Sequence, residues 1–285
     1  MAKECTARNQ ETLQNDEYRF GFGENWSHYL SLLSEERILR AEKSLKDFLG
    51  LETLQGLKFL DVGCGSGLFS LAAKRLGAHV YSFDYDQKSV ACTQYLKSKF
   101  LKNDENWVIE QGSALDKDYL KKFKGFDIVY SWGVLHHTGN MWQALENVAQ
   151  LPAKNGYLFI ALYNDQGRGS KLWSWIKRLY NKHNRFIKYL ILSLCFLRLW
   201  GPRTLIDFMT TGNPLKTWKE YKKQSRGMSA WYDLIDWVGG YPFEVSTPHE
   251  IFEFYYNKGY GLIKLVTMGG GHGCNEFVFK RQSSL

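Results

Sequence analysis

The stretch Leu57–Gly67, LKFLDVGCGSG, constrains the fold more than any other part of the chain. A short apolar run, the pattern of a buried strand, leads into Gly63, Gly65 and Gly67. Leu68–Leu76 then reads as a helix that Gly77 stops. Glycine at such a turn supplies backbone torsions closed to other residues and lets a ligand approach the main chain. The start of the following helix presents N–H groups there. A strand–turn–helix unit of this kind suits nucleotide binding in an α/β sheet. The spacing is GxGxG. Leu68 stands where GxGxxG needs its last glycine, and no Walker-type Lys-Ser/Thr pair follows.

The rest of the chain supports such a sheet. HVYSFD, WVIEQGS, FDIVYSWG and GYLFIALYN read as four more strands, with helices over Gln87–Phe100 and Met141–Leu151. Alternation of strand and helix makes parallel βαβ units. After a helix over Thr247–Lys258, YGLIKLVTM and CNEFVFKR supply two final strands around GGGHG, seven in all. Residues 1–50 then form a polar tail and a cap helix over Ser27–Leu49 that Gly50 ends. Residues 51–164 form the core, residues 165–240 a helical insertion after the fifth strand, and residues 241–285 the last helix and strands.

Charge is unevenly placed. Arg168–Arg226 holds 14 Lys/Arg against 2 Asp/Glu, and the remainder of the chain is net acidic, with 23 against 27. Lys171, Lys177, Arg178, Lys182, Arg185 and Lys188 alternate with Trp173, Trp175, Tyr180, Phe186 and Tyr189. That interleaving suits a solvated helical lid, a surface helix on an anionic membrane, or a face for RNA. The five cysteines are scattered and form no CxxC pair, so a reducing, cytoplasmic setting is expected, with peripheral contact at a membrane as an addition. The N-terminus lacks the apolar core of a signal peptide, and Tyr189–Leu197 is too short an apolar run to span a bilayer.

A carboxylate at the end of the second strand can accept both hydroxyls of a ribose. Asp84 ends the apolar run, and Asp86 is its near competitor. LDVGCGSG, FDYD, QGSALD and FDIVYSWGVLHH, in that order, resemble the motif series of class I S-adenosylmethionine (SAM)-dependent methyltransferases. The resemblance covers about residues 57–164 and is closest to the branch of ubiquinone-biosynthesis and small-molecule O-methyltransferases. It implies a Rossmann-like fold, with SAM as cofactor and S-adenosylhomocysteine (SAH) as product. It also implies roles for single residues. Asp61 would hold the glycine turn and help position the methionine amino group. Gly63, Cys64, Gly65 and Gly67 would lie against the cofactor, and Asp84 and Tyr85 at its ribose. Ser113, Ala114 and Leu115 would border the adenine. Many members carry Asp where Ser113 stands, and Asp116 is the substitute at hand. Ser131 and Trp132 would line the methyl-donor end.

His136 and His137 in GVLHHT are the candidate general bases, His137 first, since an oxygen nucleophile gains from losing its proton and histidine titrates near neutrality. The alternative is that both buttress the next helix. Tyr18, Phe20, Phe22 and Trp26, separated by glycines, would form a flap over the cofactor or simply anchor the first helix. Trp231, Asp233, Asp236 and Trp237 are the candidate substrate residues, the two carboxylates sharing a helical face. SWGV stands where amino-methylating nucleic-acid enzymes carry an NPPY-type tetrapeptide, and no cluster of metal ligands is evident, so no metal is expected. The expected reaction is methyl transfer to a hydroxyl of a small-molecule or lipid- or sugar-linked acceptor, an acidic one included. The alternatives are an RNA methyltransferase that uses the basic insertion, and a SAM-binding protein without catalysis.

Overall fold

The computed structural model describes residues 18–23, 26, 30, 33–102, 104–224 and 230–282. The expectations for residues 1–17, and for most of the segment between Ser27 and Leu33, lie outside them. Five parallel strands alternate with helices. They are β1 (Lys58–Val62), β2 (His79–Asp84), β3 (Trp107–Gln111), β4 (Phe126–Trp132) and β5 (Pro152–Tyr163). The last two strands, β6 (Tyr260–Val266) and β7 (Cys274–Arg281), complete a seven-stranded sheet ordered β3-β2-β1-β4-β5-β7-β6. β7 runs antiparallel to both β5 and β6. This is the mostly parallel seven-stranded sheet expected from the sequence. The strand order reverses between β1 and β4, which places a ligand crevice beyond the carboxyl ends of these strands.

Two-residue periodicity sorts the strand side chains onto opposite faces. On one face Leu60, Val62, Val129, Leu158 and Ile160 form the main core cluster with Leu145 and Val148 of α5 (Met141–Val148) and Ile251 and Tyr255 of α10 (Pro248–Tyr256). On the other face Phe59 and Tyr130 stack, and Tyr130 stacks in turn on Phe69 of α2 (Leu68–Arg75). Phe48 of α1 (Glu35–Leu49) stacks on Phe159. Arg75 ties α2 to α1 through Glu35 and Glu42. The remaining helices of the sheet unit are α3 (Gln87–Phe100) and the short α4 (Lys117–Leu120).

Helix ends follow local chemistry. Gly50 takes the left-handed conformation, φ 66°, and its N–H reaches Lys46 O, closing α1 where the sequence stops it. Thr247 and Glu250 form a reciprocal capping box at the start of α10, with Pro248 in its first turn. The fifth strand starts earlier than its apolar run. Pro152 pairs with Phe126, and the register then shifts before Ile128 meets Tyr157; Asn155 takes a positive φ of 61° within this irregularity.

The chain divides into two compact units. The sheet unit comprises Gly21–Gly167 and Glu244–Leu285, and the second comprises Met1–Phe20 and Arg168–Phe243. The described part of the second is helical, with α6 (Arg168–Lys182), α7 (Arg185–Thr211), α8 (Lys216–Gln224) and α9 (Ala230–Gly239). Its interior differs from a simple surface alternation of cations and rings. Trp173, Lys177 and Tyr180 turn inward along one side of α6. Lys177 is fully buried; its ammonium donates to Trp237 O and lies over the rings of Trp237 (4.6 Å) and Phe243 (4.7 Å). Burial lowers its pKa to about 7, against the attraction of Asp236. The sequence pattern had grouped this lysine with the solvent-facing cations.

Candidate active site

The glycine turn is built by constraints on its backbone. Gly63, Gly65 and Gly67 have φ of 80°, 53° and 79°, and a Cβ on Gly63 would stand 2.3 Å from Val134 Cγ1. The N–H groups of Gly63 and Cys64 both donate to Phe83 O, at 2.8 and 3.0 Å, and that of Gly67 to Cys64 O. The N–H of Gly65 donates to Asp84 Oδ2 at 2.9 Å. These donors, which a phosphate loop would direct at an anion, are engaged within the protein.

Two carboxylates flank the turn. Asp61, 2% exposed, accepts a 2.5 Å hydrogen bond from Ser70 Oγ, and Ser70 pairs with Ser82. Burial raises the Asp61 pKa to about 7, against the Ser70 hydrogen bond and with help from the charge of Asp84. Asp84, half-buried at the end of β2, accepts from Gly65 N and, through Oδ1, from Asp86 N at 2.9 Å. Burial lifts its pKa to about 6, against those backbone hydrogen bonds. Asp86 is spent otherwise. It caps α3 through Lys88 N and accepts from Gly23 N at 2.9 Å, which leaves Asp84 as the carboxylate at the strand end.

Trp26 lies on the turn, since a Cβ on Gly65 would come within 3.1 Å of its indole ring. Phe22 packs on His137 with ring centroids 4.8 Å apart. Of the four aromatics expected in a flap, Phe22 and Trp26 belong to the sheet unit and Tyr18 and Phe20 to the helical one, where Phe20 N donates to Tyr241 O.

At the end of β3, Ser113 Oγ accepts from Leu115 N, and Asn147 of α5 donates to Ala114 O at 2.9 Å. Asp116 is exposed and caps α4 through Asp118 N and Tyr119 N. Tyr85 is half exposed beside Asp84. Ser131 is fully buried and donates to Val62 O, so its hydroxyl ties β4 to β1 instead of facing a ligand. Trp132 Nε1 donates to Glu276 at 2.9 Å.

The histidines occupy a tight turn, Leu135–His137, and are unlike in placement. His136 is fully buried against Tyr163, accepts from Tyr163 N at Nδ1, and receives Glu244 N at its carbonyl. His137 is 8% exposed, between Phe22, Tyr163 and His136. Glu244, which no motif singles out, clamps this turn to α5 by accepting from Met141 N at 2.9 Å. Its carboxyl pKa is raised by burial, against backbone donors Met141 and Gly139. Thr93 is a second unmarked residue, donating to Gly65 O from beneath the turn.

Trp231, Asp233, Asp236 and Trp237 are brought together on α9 in the helical unit. Asp233 accepts from Tyr221 at 2.7 Å, Asp236 acts on Lys177, and Trp237 packs on Trp173. No group of three or more potential metal ligands occurs among the described residues.

The sheet order and the acidic glycine turn define a Rossmann-like class I methyltransferase core. Residues 31–196 match the family described as Methyltransferase domain, and the chain belongs to that family. It is 31% identical over 127 residues to the ubiquinone biosynthesis O-methyltransferase of Pelagibacter ubique (strain HTCC1062), covering 43% of this chain and 50% of the relative. The enzyme of that name from Caulobacter sp. (strain K31) is 28% identical over 141 residues, 47% and 51% of the two chains. The chain thus spans about half the length of the curated relatives it matches. In fold it resembles the magnesium protoporphyrin IX methyltransferase of Synechocystis PCC 6803, solved with SAH, with a TM-score of 0.54, 13% identity, and coverage of 95% of this chain and 99% of that one.

Proposed function

We propose that this protein is an O-methyltransferase that takes the methyl group of SAM to a hydroxyl of a small-molecule acceptor. The observation that carries the reading is the glycine turn whose N–H groups are consumed internally while Asp61 and Asp84 stand beside it. A diphosphate cofactor would meet two carboxylates beside a turn whose Gly63, Cys64, Gly65 and Gly67 N–H groups are already engaged. A ligand bearing a ribose diol, an ammonium and a sulfonium suits the same surroundings. Asp84 would accept from the ribose hydroxyls. Asp61 would favour the ammonium, and Gly63 and Gly65 would allow close approach. Ser113, Ala114 and Leu115 would border the base, and Trp26 would cover the turn. Bound SAM supplies a methyl group already activated for in-line substitution, so the chain's own work is alignment and exclusion of water.

His137 is the proposed general base. Its imidazole would take the acceptor hydroxyl's proton as the oxygen attacks, while His136, Tyr163 and Glu244 hold the turn that carries it. The relatives named as O-methyltransferases support an oxygen acceptor. The candidate substrate residues Trp231, Asp233, Asp236 and Trp237 belong to the helical unit, and a lipid-linked acceptor is the second form of the reading. The test is incubation with methyl-labelled SAM and host extract, followed by separation of small molecules, lipid, RNA and protein. Label in the small-molecule or lipid fraction, as a base-stable ether, is the expected result. Label confined to RNA or protein contradicts it.

A further inference from the structure

Helix α7 carries a face that the described residues of the helical unit do not cover. Phe186, Leu190, Leu194, Leu197, Leu205 and Phe208 are 53–79% exposed. Their spacing of four, four, three, eight and three residues keeps them on one side of the helix. The eight-residue step is filled by Gly201, four residues from each neighbour. The stripe runs from Phe186 to Phe208, about 33 Å at 1.5 Å per residue. The buried residues of α7 lie on the opposite side. Ile191, Leu192 and Cys195 are buried, and Asp207 accepts from both the backbone and the hydroxyl of Thr217. α6 repeats the arrangement on a smaller scale, with Leu172 and Trp175 exposed beside Lys171, Arg178 and Lys182.

Charge selects the occupant. Apart from the buried Lys177, α6 and α7 together hold eight Lys/Arg and a single acidic residue, Asp207. A second copy of this chain would bring two such basic units together. A polyphosphate chain would satisfy the cations and leave the leucine stripe in water. An anionic phospholipid surface satisfies both, taking the apolar side chains among its acyl chains and the cations at its headgroups. α7 is long and apolar enough by composition to cross a membrane. Arg198 and Arg203 within it, and the pairing of Asp207 with α8, fit a helix lying in the interface. We propose that the α6–α7 face docks this protein on anionic phospholipid, with α7 parallel to the surface. The proposal is independent of the methyl-transfer reading.

The test is flotation of the full chain with phosphatidylcholine vesicles, with and without phosphatidylglycerol. Binding should strengthen about tenfold or more with the anionic lipid and weaken with salt. The Leu194→Glu/Leu197→Glu variant should lose about tenfold or more in binding while its melting temperature stays within a degree or two, since both side chains are exposed. Failure to float with anionic vesicles overturns the proposal, as does unchanged binding by the variant. A dimer that the same two substitutions dissociate, or RNA binding that excludes vesicles, also overturns it.

Discussion

Asp61 and Asp84 are only a few residues from glycines, and burial holds both above the ordinary carboxylate range, against different hydrogen bonds. Asp84 keeps backbone donors and some exposure, so its carboxyl, at about 6, is ionised near neutral pH. Replacing Asp84 with Ala removes the acceptor proposed for the ribose hydroxyls. It should weaken SAH binding roughly 10- to 100-fold, as measured by calorimetry. Asp61 is buried beside Ser70, with its pKa near 7 against an unfolded value of 3.8. The folded state therefore binds the extra proton between those values, and stability falls as pH rises through that window and then levels off. Asp61→Asn should raise the melting temperature of the ligand-free protein at pH 8, with little effect at pH 4, while weakening SAH. A melting temperature lowered by the substitution at pH 8 and not at pH 4 would mean that Asp61 is stabilised as the anion. His137→Ala should lower turnover about 100-fold with SAH affinity kept, and a steady-state assay that shows full kcat would remove the base from His137.

At the scale of elements, the turn between β1 and α2 is where sequence and backbone agree most closely. Gly63, Gly65 and Gly67 are legible because their torsions exclude side chains, and the structure gives all three positive φ. Gly63→Ala combines a left-handed φ with a clash against Val134. It should destabilise the protein by about 2 kcal/mol or more, as read by denaturant titration. Val134, Thr93 and Glu244 carry no signal of their own. Each acts through a neighbour that is distant in sequence, as Glu244 reaches Met141 N across 103 positions. Ser131 sits in the right motif, but a serine at a strand end can face either a ligand or the sheet, and only the structure shows that it faces Val62 O. Asp116 is similar, since a carboxylate before a helix serves as a cap as readily as a binding group.

At the scale of the molecule, period-two and helical patterning fixed the sheet unit. The helical unit escaped because alternating cations and rings say nothing about which side of a helix faces in. Lys177 shows the ambiguity, since it belongs to the basic pattern and is nevertheless buried over Trp237 and Phe243. The exposed stripe of α7 is the converse, an apolar periodicity that in most helices would mark the core. Its meaning depends on burial, which the sequence does not carry. The family match covers the sheet's first five strands, α6 and part of α7.

Calorimetric titration of SAH and NADH between pH 5 and pH 8 separates an acidic glycine turn that binds SAM from a phosphate cradle. SAH should bind and NADH should not. SAH affinity should fall on acidification from pH 8, first as Asp61, near 7, takes up a proton beside the ammonium and then, below about 6, as Asp84 can no longer accept from both ribose hydroxyls. Binding of NADH in preference to SAH, or SAH affinity that does not change across this range, would contradict SAM binding at the acidic turn.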